Sequence, residues 1–566
     1  MTTQPTGRWA PHAIGWLGVC LALVACQAPS TDEPVPTNPW LVEIERDSPV
    51  VIANQRPLSD SQWNRLLSVV GLPGALGLDA GFRQYPSIQT ALAQTQTAQG
   101  VRAAGFDPNG FFAVYAHQGR LIARLPLTDE ARFWQWWAQT DAPDAPDAPD
   151  ASATPPAQAT PATNERPNQA RVVLPARQGG GLATTESVVT LTTDADHLTV
   201  IWQAAGSDSA PPAQFDPPAD PWSNARWTRF NQRHQFDGHL SARLDLAGWF
   251  SGTDMIPAAC RRLWAQTASP IESIRFGTHQ LDEGGVHWRA DITTPLWAPD
   301  NIPTAPTTAD VDLDGVRGAD IAGLGATLNL SALRERVLTW ANATTVETSA
   351  CPSGPLWARH HRQLRSLANR PIPPIFSGLT GLTSRLDAWH SDELDSGPDY
   401  FTEVFLRNPQ FLLGLAQLFS PDLADLDLRP NQTPVPLPDR LAQTLGGVPV
   451  YLSTTPSSIR ASATPKAHAD TTAPATDVND ARKQNTHTSP WVVGTLQLDR
   501  LDELADATAQ WPGRPATAQW LAPLYDWAQA SGARRIEFEL GGGETSLELD
   551  LSLRHGPSEL TDPATP

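Results

Sequence analysis

The sequence predicts an α+β protein in which diverged, repeated strand-helix-hairpin modules form antiparallel sheets covered by helices. Two patterns carry this expectation. The first is a β-like run ending in a Leu-x-Leu step, a polar cap and an amphipathic helix. It occurs at Leu125-Pro126-Leu127 with Thr128 or Asp129 before Phe133 and Trp136, at Leu244-Asp245-Leu246 before Trp249, and at Leu328-Asn329-Leu330 with Ser331 before Leu333 and Val337. It returns at Phe405-Leu406-Arg407 with Asn408-Pro409 before Leu412 and Leu415, and at Leu496-Gln497-Leu498 with Asp499 before Leu501 and Leu504. Val51-Ile52-Ala53, leading into Ser59 and Trp63, is a weaker copy. Period-two alternation puts both leucines on one strand face, and the Ser, Asp or Asn that follows accepts free amide hydrogens of a first helical turn. The second pattern is the hairpin. Residues 188–193 and 198–202 turn at Asp194-Ala195-Asp196, 274–281 and 286–292 at Asp282-Glu283-Gly284-Gly285, and 536–540 and 547–551 at Gly541-Gly542-Gly543. The last alternates apolar with acidic residues, which requires one buried and one solvated face and puts Glu537, Glu539, Glu548 and Asp550 at the surface. The junctions are spaced too unevenly for a solenoid, so a diverged duplicated module is expected.

In chain order, Arg8 precedes an uncharged apolar run over residues 13–25. As a helix it covers about 20 Å, short of the ~30 Å of a bilayer core, so it reads as a removable export signal. It ends in Leu23-Val24-Ala25-Cys26, which resembles the lipobox of bacterial lipoproteins. The resemblance implies cleavage before Cys26, a thioether to diacylglycerol on its sulfur, and further acylation of the palmitate kind. Gln27, in place of Asp, implies delivery to the outer membrane of a Gram-negative bacterium, with the body in the periplasm. Residues 1–26 are thus the signal peptide and 27–46 a polar, extended tether. A first α+β half spans 47–299, with an Asp-Ala-Pro insertion at 141–167 expected to be disordered. A Pro/Thr-rich stretch opens the second half, 300–566, which carries a similar insertion at 461–490.

With 566 residues, 40% of them hydrophobic, the chain can fill more than one core. The formal net charge of −20, without a dense Lys/Arg cluster, excludes nucleic-acid binding and adhesion to anionic lipid by a basic patch. The expected partners are the membrane, through the lipid anchor, and an envelope protein or apolar ligand. The 21 Trp, against 5 Tyr, are scattered apart from Trp134, Trp136 and Trp137 on one predicted helix, a weak basis for sugar stacking. Of the four cysteines, Cys20 leaves with the signal and Cys26 takes the lipid. Cys260 and Cys351 remain, and in an oxidising compartment they are expected to pair, a reactive thiol or metal pair being the alternative.

Motifs for chemistry are sparse. Asp310-Val311-Asp312-Leu313-Asp314-Gly315 reproduces the opening of a calcium loop, but Ile321 stands where the twelfth-position carboxylate belongs. The competing reading is an alternating strand with Val311 and Leu313 inward. His360-His361 lies among Arg359, Arg362 and Arg365 on a predicted helix, where neighbours diverge by about 100°, so a solvated face is expected and not a metal pair. There is no HExxH, GxSxG or P-loop. No cofactor is expected, and the chain reads as a non-enzymatic binding or structural protein, with an envelope hydrolase or a carrier of lipid as alternatives. The run from Phe411 through Leu413, Leu415 and Leu418 to Phe419 is apolar nearly all round. Such a helix is buried, or uses Phe411, Leu415 and Phe419 to contact an apolar ligand.

Five stretches share a further likeness: Val51-Ile52-Ala53-Asn54-Gln55-Arg56-Pro57-Leu58, residues 111–115 with 121–125, Pro257-Ala258-Ala259-Cys260-Arg261-Arg262-Leu263, residues 370–376, and residues 408–418. Together they resemble a group of large, functionally uncharacterised proteobacterial lipoproteins with domains of unknown function. The resemblance implies an envelope location and a bridge between Cys260 and Cys351, and it transfers no activity.

Overall fold

The computed structural model describes residues 37–75, 95, 97–140, 169–174, 187–205, 218–294, 311, 313–327, 330–343, 351, 354–372, 378–390, 397–424, 426–444, 448–465, 490–503, 505, 518–542 and 546–556. The export signal, Cys26, the insertion at 141–167, Asp310 and Asp312 lie outside them. The fold is α+β. It divides into two units, Met1–Thr293 with Ala341–Leu364 and Thr294–Trp340 with Arg365–Pro566. The division near 294 falls close to the expected boundary at 300, but residues 341–364 group with the first unit.

Among the described residues the first unit holds nine strands: β1 Val50–Ala53, β2 Ala113–His117, β3 Arg120–Pro126, β4 Gln169–Leu174, β5 Ser187–Asp194, β6 His197–Ala204, β7 Ser241–Leu244, β8 Ser273–Asp282 and β9 Gly285–Thr293. Their antiparallel ladders give the order β4-β5-β6-β3-β2-β1-β7-β8-β9. Its helices are α1 Asp60–Ala75, α2 Ala98–Ala103, α3 Glu130–Thr140, α4 Asn224–His234, α5 Leu246–Gly252 and α6 Ala258–Ala268. The second unit has β10 Ala322–Thr327, β11 Leu379–His390, β12 Gly397–Leu406, β13 Val435–Pro436, β14 Tyr451–Thr454, β15 Ser458–Ser462, β16 Pro490–Gln497, β17 Ala533–Gly542 and β18 Ser546–His555. These pair, again antiparallel, in the order β13-β14-β15-β12-β11-β10-β16-β17-β18. Numbered from its own first strand, each unit therefore has the order 4-5-6-3-2-1-7-8-9. Helices α7 Leu313–Arg317, α8 Leu330–Ala343, α9 Gly354–Asn369, α10 Pro409–Phe419, α11 Pro421–Ala424, α12 Asp439–Thr444 and α13 Ala518–Ser531 follow in the chain, α8 ending and α9 beginning in the segment 341–364 that groups with the first unit.

The six junctions read from the sequence fall at the first, third and seventh strands of each unit, where β1, β3, β7, β10, β12 and β16 hand over to helical turns. Caps fix several of them. Ser59 and Gln62 form a reciprocal box before α1, with Ser59 N donating to Gln62 Oε1 at 2.7 Å and Gln62 N to Ser59 Oγ at 3.3 Å. Asp129 accepts from Arg132 N at 2.9 Å, Asp245 from Gly248 N at 2.8 Å, and Asn408 from Phe411 N at 3.0 Å. Proline at the first position of α10 loses no internal bond.

Both faces of the centre of the first sheet, β1 to β3, are buried. On one, Val51, Ala53, Ala113, Tyr115, Ile122 and Ile201 pack with Leu41 and Ile44 and with Trp222 and Trp227. The expected tether thus stops short of 46. Trp40, Leu41 and Ile44 are apolar enough to dock, and Asn38 Nδ2 donates to Asn54 O at 2.7 Å and Phe112 O at 2.8 Å. The insertion expected at 461–490 also begins later, since Ala461 and Ser462 pair with Thr402 and Phe401.

Cys260 of α6 and Cys351 form a disulfide with S–S 2.08 Å, buried with Ile256, Leu263 and Trp264. The sequence separation is 91 residues, and in the chain-entropy account closing a loop of that size stabilises by about 4.6 kcal/mol. A Cys260→Ser/Cys351→Ser variant is expected to lose roughly that much in urea unfolding; an unchanged midpoint would show that the bridge adds nothing.

Candidate functional site

The second unit departs from the first in how its sheet is covered. Glu403 on β12 stands five residues before the cap Asn408, and Arg124 on β3 five before Asp129, which aligns the two registers. Cross-strand pairing then matches Leu324 of β10 with Ile52, Ser384 with Val114, Thr402 with Ala123, and Gly494 with Ala242. In the first unit this row is sealed, and Ile52 is 0% exposed. In the second, Leu324 is 47% exposed although strands flank it on both sides, and Leu549 of β18 is 36% exposed.

Three rows of residues make up this open face. One runs through Phe538, Gly494, Leu324, Ser384 and Thr402; a second through Leu549, Leu540, Val492, Ala326, Leu382 and Val404; a third through Leu553, Ile536, Leu496, Ala322, Leu386 and Tyr400. None is charged. Gly494 is required by close approach, because a Cβ there would lie 2.1 Å from the Phe538 ring. The hydroxyls of Ser384 and Thr402 are 2.9 Å apart, and burial pushes the Tyr400 hydroxyl pKa up.

The opposite face mixes apolar side chains with bonded charges. Glu403 is buried and accepts from Arg460 Nε at 2.8 Å and from the Ser458 hydroxyl. Beside it a recess with about 280 Å³ of free space, part of it open solvent, is lined by Gly315, Val316, Thr383, Ser384, Arg385, Phe401 and Glu403. The Arg385 guanidinium lies 5.3 Å from the Phe401 ring centre, and its Nε is 3.0 Å from Asp387, whose carboxyl burial holds above its ordinary range. Along the same face Glu537 pairs with Arg535 at 2.8 Å and Arg554 at 3.1 Å, and Glu539 with Arg317 at 2.9 Å. Of the four acidic residues of the last hairpin, Glu537 and Glu539 are therefore tied to arginines.

Two clusters in the first unit bring titratable side chains together. Glu43 accepts from Tyr115 Oη at 3.0 Å and Arg124 Nη2 at 2.7 Å, with Arg124 5.3 Å from the Trp40 ring; burial, then Glu43, push the Tyr115 hydroxyl far up, away from a reactive phenolate. Asp237 accepts from the Thr278 hydroxyl and from His239 N at 2.9 Å. Burial pushes the Asp237 carboxyl up and the His239 imidazole down. Thr278 gives its proton to the carboxylate and not to the imidazole, and it is fully buried, so the group lacks the order of a nucleophile-base relay.

The residues expected from sequence are dispersed. Asp314 lies in the first turn of α7 and pairs with Arg317, and residues 313–317 form a helix where an alternating strand was the competing reading; Leu313 and Val316 point together at Gly325 and Val493. Among the described residues no group of three His, Cys, Asp or Glu could hold a metal ion. His361 is not simply solvated, since its Nε2 lies 2.8 Å from the Ala341 carbonyl. Full burial of α10 does not hold: Leu413 is buried and Leu415 partly so, but Phe411 is 55% and Leu418 78% exposed. The Phe419 side chain lies outside the described residues. Trp134, Trp136 and Trp137 gather around Phe133 on α3, with Trp134 Nε1 donating to Thr193 Oγ1 at 3.0 Å. No helix is long and apolar enough to cross a membrane among the described residues. No family model, curated protein or solved structure matches the chain.

The buried Glu403–Arg460 pair gives a direct check on this layer. Glu403→Ala leaves a buried cation without its partner and is expected to cost about 3–5 kcal/mol in urea unfolding, whereas Glu403→Leu with Arg460→Met should recover most of it. A single variant as stable as the parent would remove the pair from the account.

Proposed function

We propose that this chain is a non-enzymatic binding protein of the Gram-negative envelope, held at the periplasmic face of the outer membrane by acyl chains on Cys26, and that its second unit takes an apolar ligand on the open sheet face. The observation that carries the reading is the 47% exposure of Leu324 in the middle of an uncharged face whose counterpart row in the first unit is sealed. Exposed apolar area of this extent is costly in water and marks a contact site. An apolar chain covering about 300 Å² of it gains roughly 7 kcal/mol before the costs of association. The envelope location rests on the lipobox-like Leu23-Val24-Ala25-Cys26 and the polar stretch behind it.

The shared strand order supports a second part of this reading. The two units descend from one duplicated nine-stranded module, of which the first copy serves as a closed scaffold and the second as the binding copy. Phe411 and Leu418 on α10 favour an added contact with an envelope protein, as they present apolar surface away from the core.

The test uses the environment-sensitive probe 1-N-phenylnaphthylamine. The mature chain is expected to bind it with a fluorescence rise, and Leu324→Asp to weaken binding about tenfold or more while leaving the unfolding midpoint nearly unchanged. A parent that fails to bind, or a variant that binds equally, contradicts the assignment. Separately, Cys26→Ser is expected to move the protein from the membrane to the soluble periplasmic fraction; continued membrane retention contradicts the anchor.

A further inference from the structure

The open face carries one polar feature, and it narrows the ligand. Ser384 and Thr402 sit directly across from each other, with Leu324 next in the row. Tyr400 precedes Thr402 by two residues, so all three hydroxyls share the face. A hydroxyl pair at 2.9 Å uses one proton internally and leaves the other to donate outward. Among the described residues the Tyr400 hydroxyl has no hydrogen-bond partner and can donate as well. Where the matching row is sealed, the positions of Ser384 and Thr402 are Val114 and Ala123. At these two positions the hydroxyls thus stand in the open unit and apolar side chains in the sealed one.

We propose that the occupant is a neutral acyl ester: an apolar chain lying across Leu324 and Leu549, with its uncharged carbonyl oxygen accepting from the one outward proton of the Ser384–Thr402 pair and from the Tyr400 hydroxyl. This rests on the reading that the face binds an apolar molecule. A free carboxylate fits poorly, because the three rows hold no cation to offset its desolvation. An ester carbonyl needs only donors.

Competition against bound 1-N-phenylnaphthylamine at pH 8 tests the choice, with methyl laurate and laurate as competitors on the full mature chain. Methyl laurate is expected to displace the probe at a concentration about fivefold or more below that of laurate. A Ser384→Ala/Thr402→Val variant should still bind the probe and lose the preference. Laurate competing as well as or better than the ester, or a variant that keeps the preference, overturns the ester assignment while the apolar-ligand reading stands. Failure of the parent to bind the probe overturns both.

Discussion

A strand inside a sheet shows alternate side chains to two faces, and each face must be covered or left open to whatever else will cover it. This period-two constraint sets the character of both units. Where Ile52 points, the first unit is sealed; where Leu324 points, the second is open. The strand order around both residues is the same, so the difference lies in side chains and coverage and not in topology. Access to the sheet is then a property of the unit that left a face uncovered.

The other face follows the same logic with different chemistry. At one register position the first unit places Arg124 and the second Glu403, each buried and each needing a counter-charge. Arg124 takes it from Glu43, next to the turn that docks the start of the folded body; Glu403 takes it from Arg460 on the neighbouring strand. Breaking either would leave a charge in a low-dielectric layer, so these pairs tie local register to the correct partner. In the first unit the pair also makes residues 38–44 part of the sheet's cover, which turns the end of an apparent tether into structure.

Much of the local order was readable in the chain. The Leu-x-Leu steps and their caps marked real junctions because a strand end and a first helical turn impose separate, local demands, as at Asn408-Pro409. The hairpin through Gly541 was legible for the same reason. The strand order was not, since pairing β1 with β7, or β10 with β16, joins segments far apart in sequence. Residues 313–317 read as strand or loop, but Leu313 and Val316, spaced by three, close as a helical turn over Gly323 and Gly325. The open face was hidden too, as Ala322-Gly323-Leu324-Gly325-Ala326 gives little contrast between its sides. A signal did exist for the buried pair: Glu403 lies between Phe401 and Phe405 at inward positions of one strand, which calls for a cation such as Arg460.

The central claim is that equivalent rows of the two sheets differ in access to solvent, and thiol labelling measures this directly. With Cys260 and Cys351 joined, and Cys20 and Cys26 replaced by serine, a single introduced cysteine is the reporter. Under native conditions Leu324→Cys is expected to react with a maleimide within about tenfold of the rate of an unfolded thiol, and Ile52→Cys to react only on unfolding. Equal protection at both positions would contradict the account.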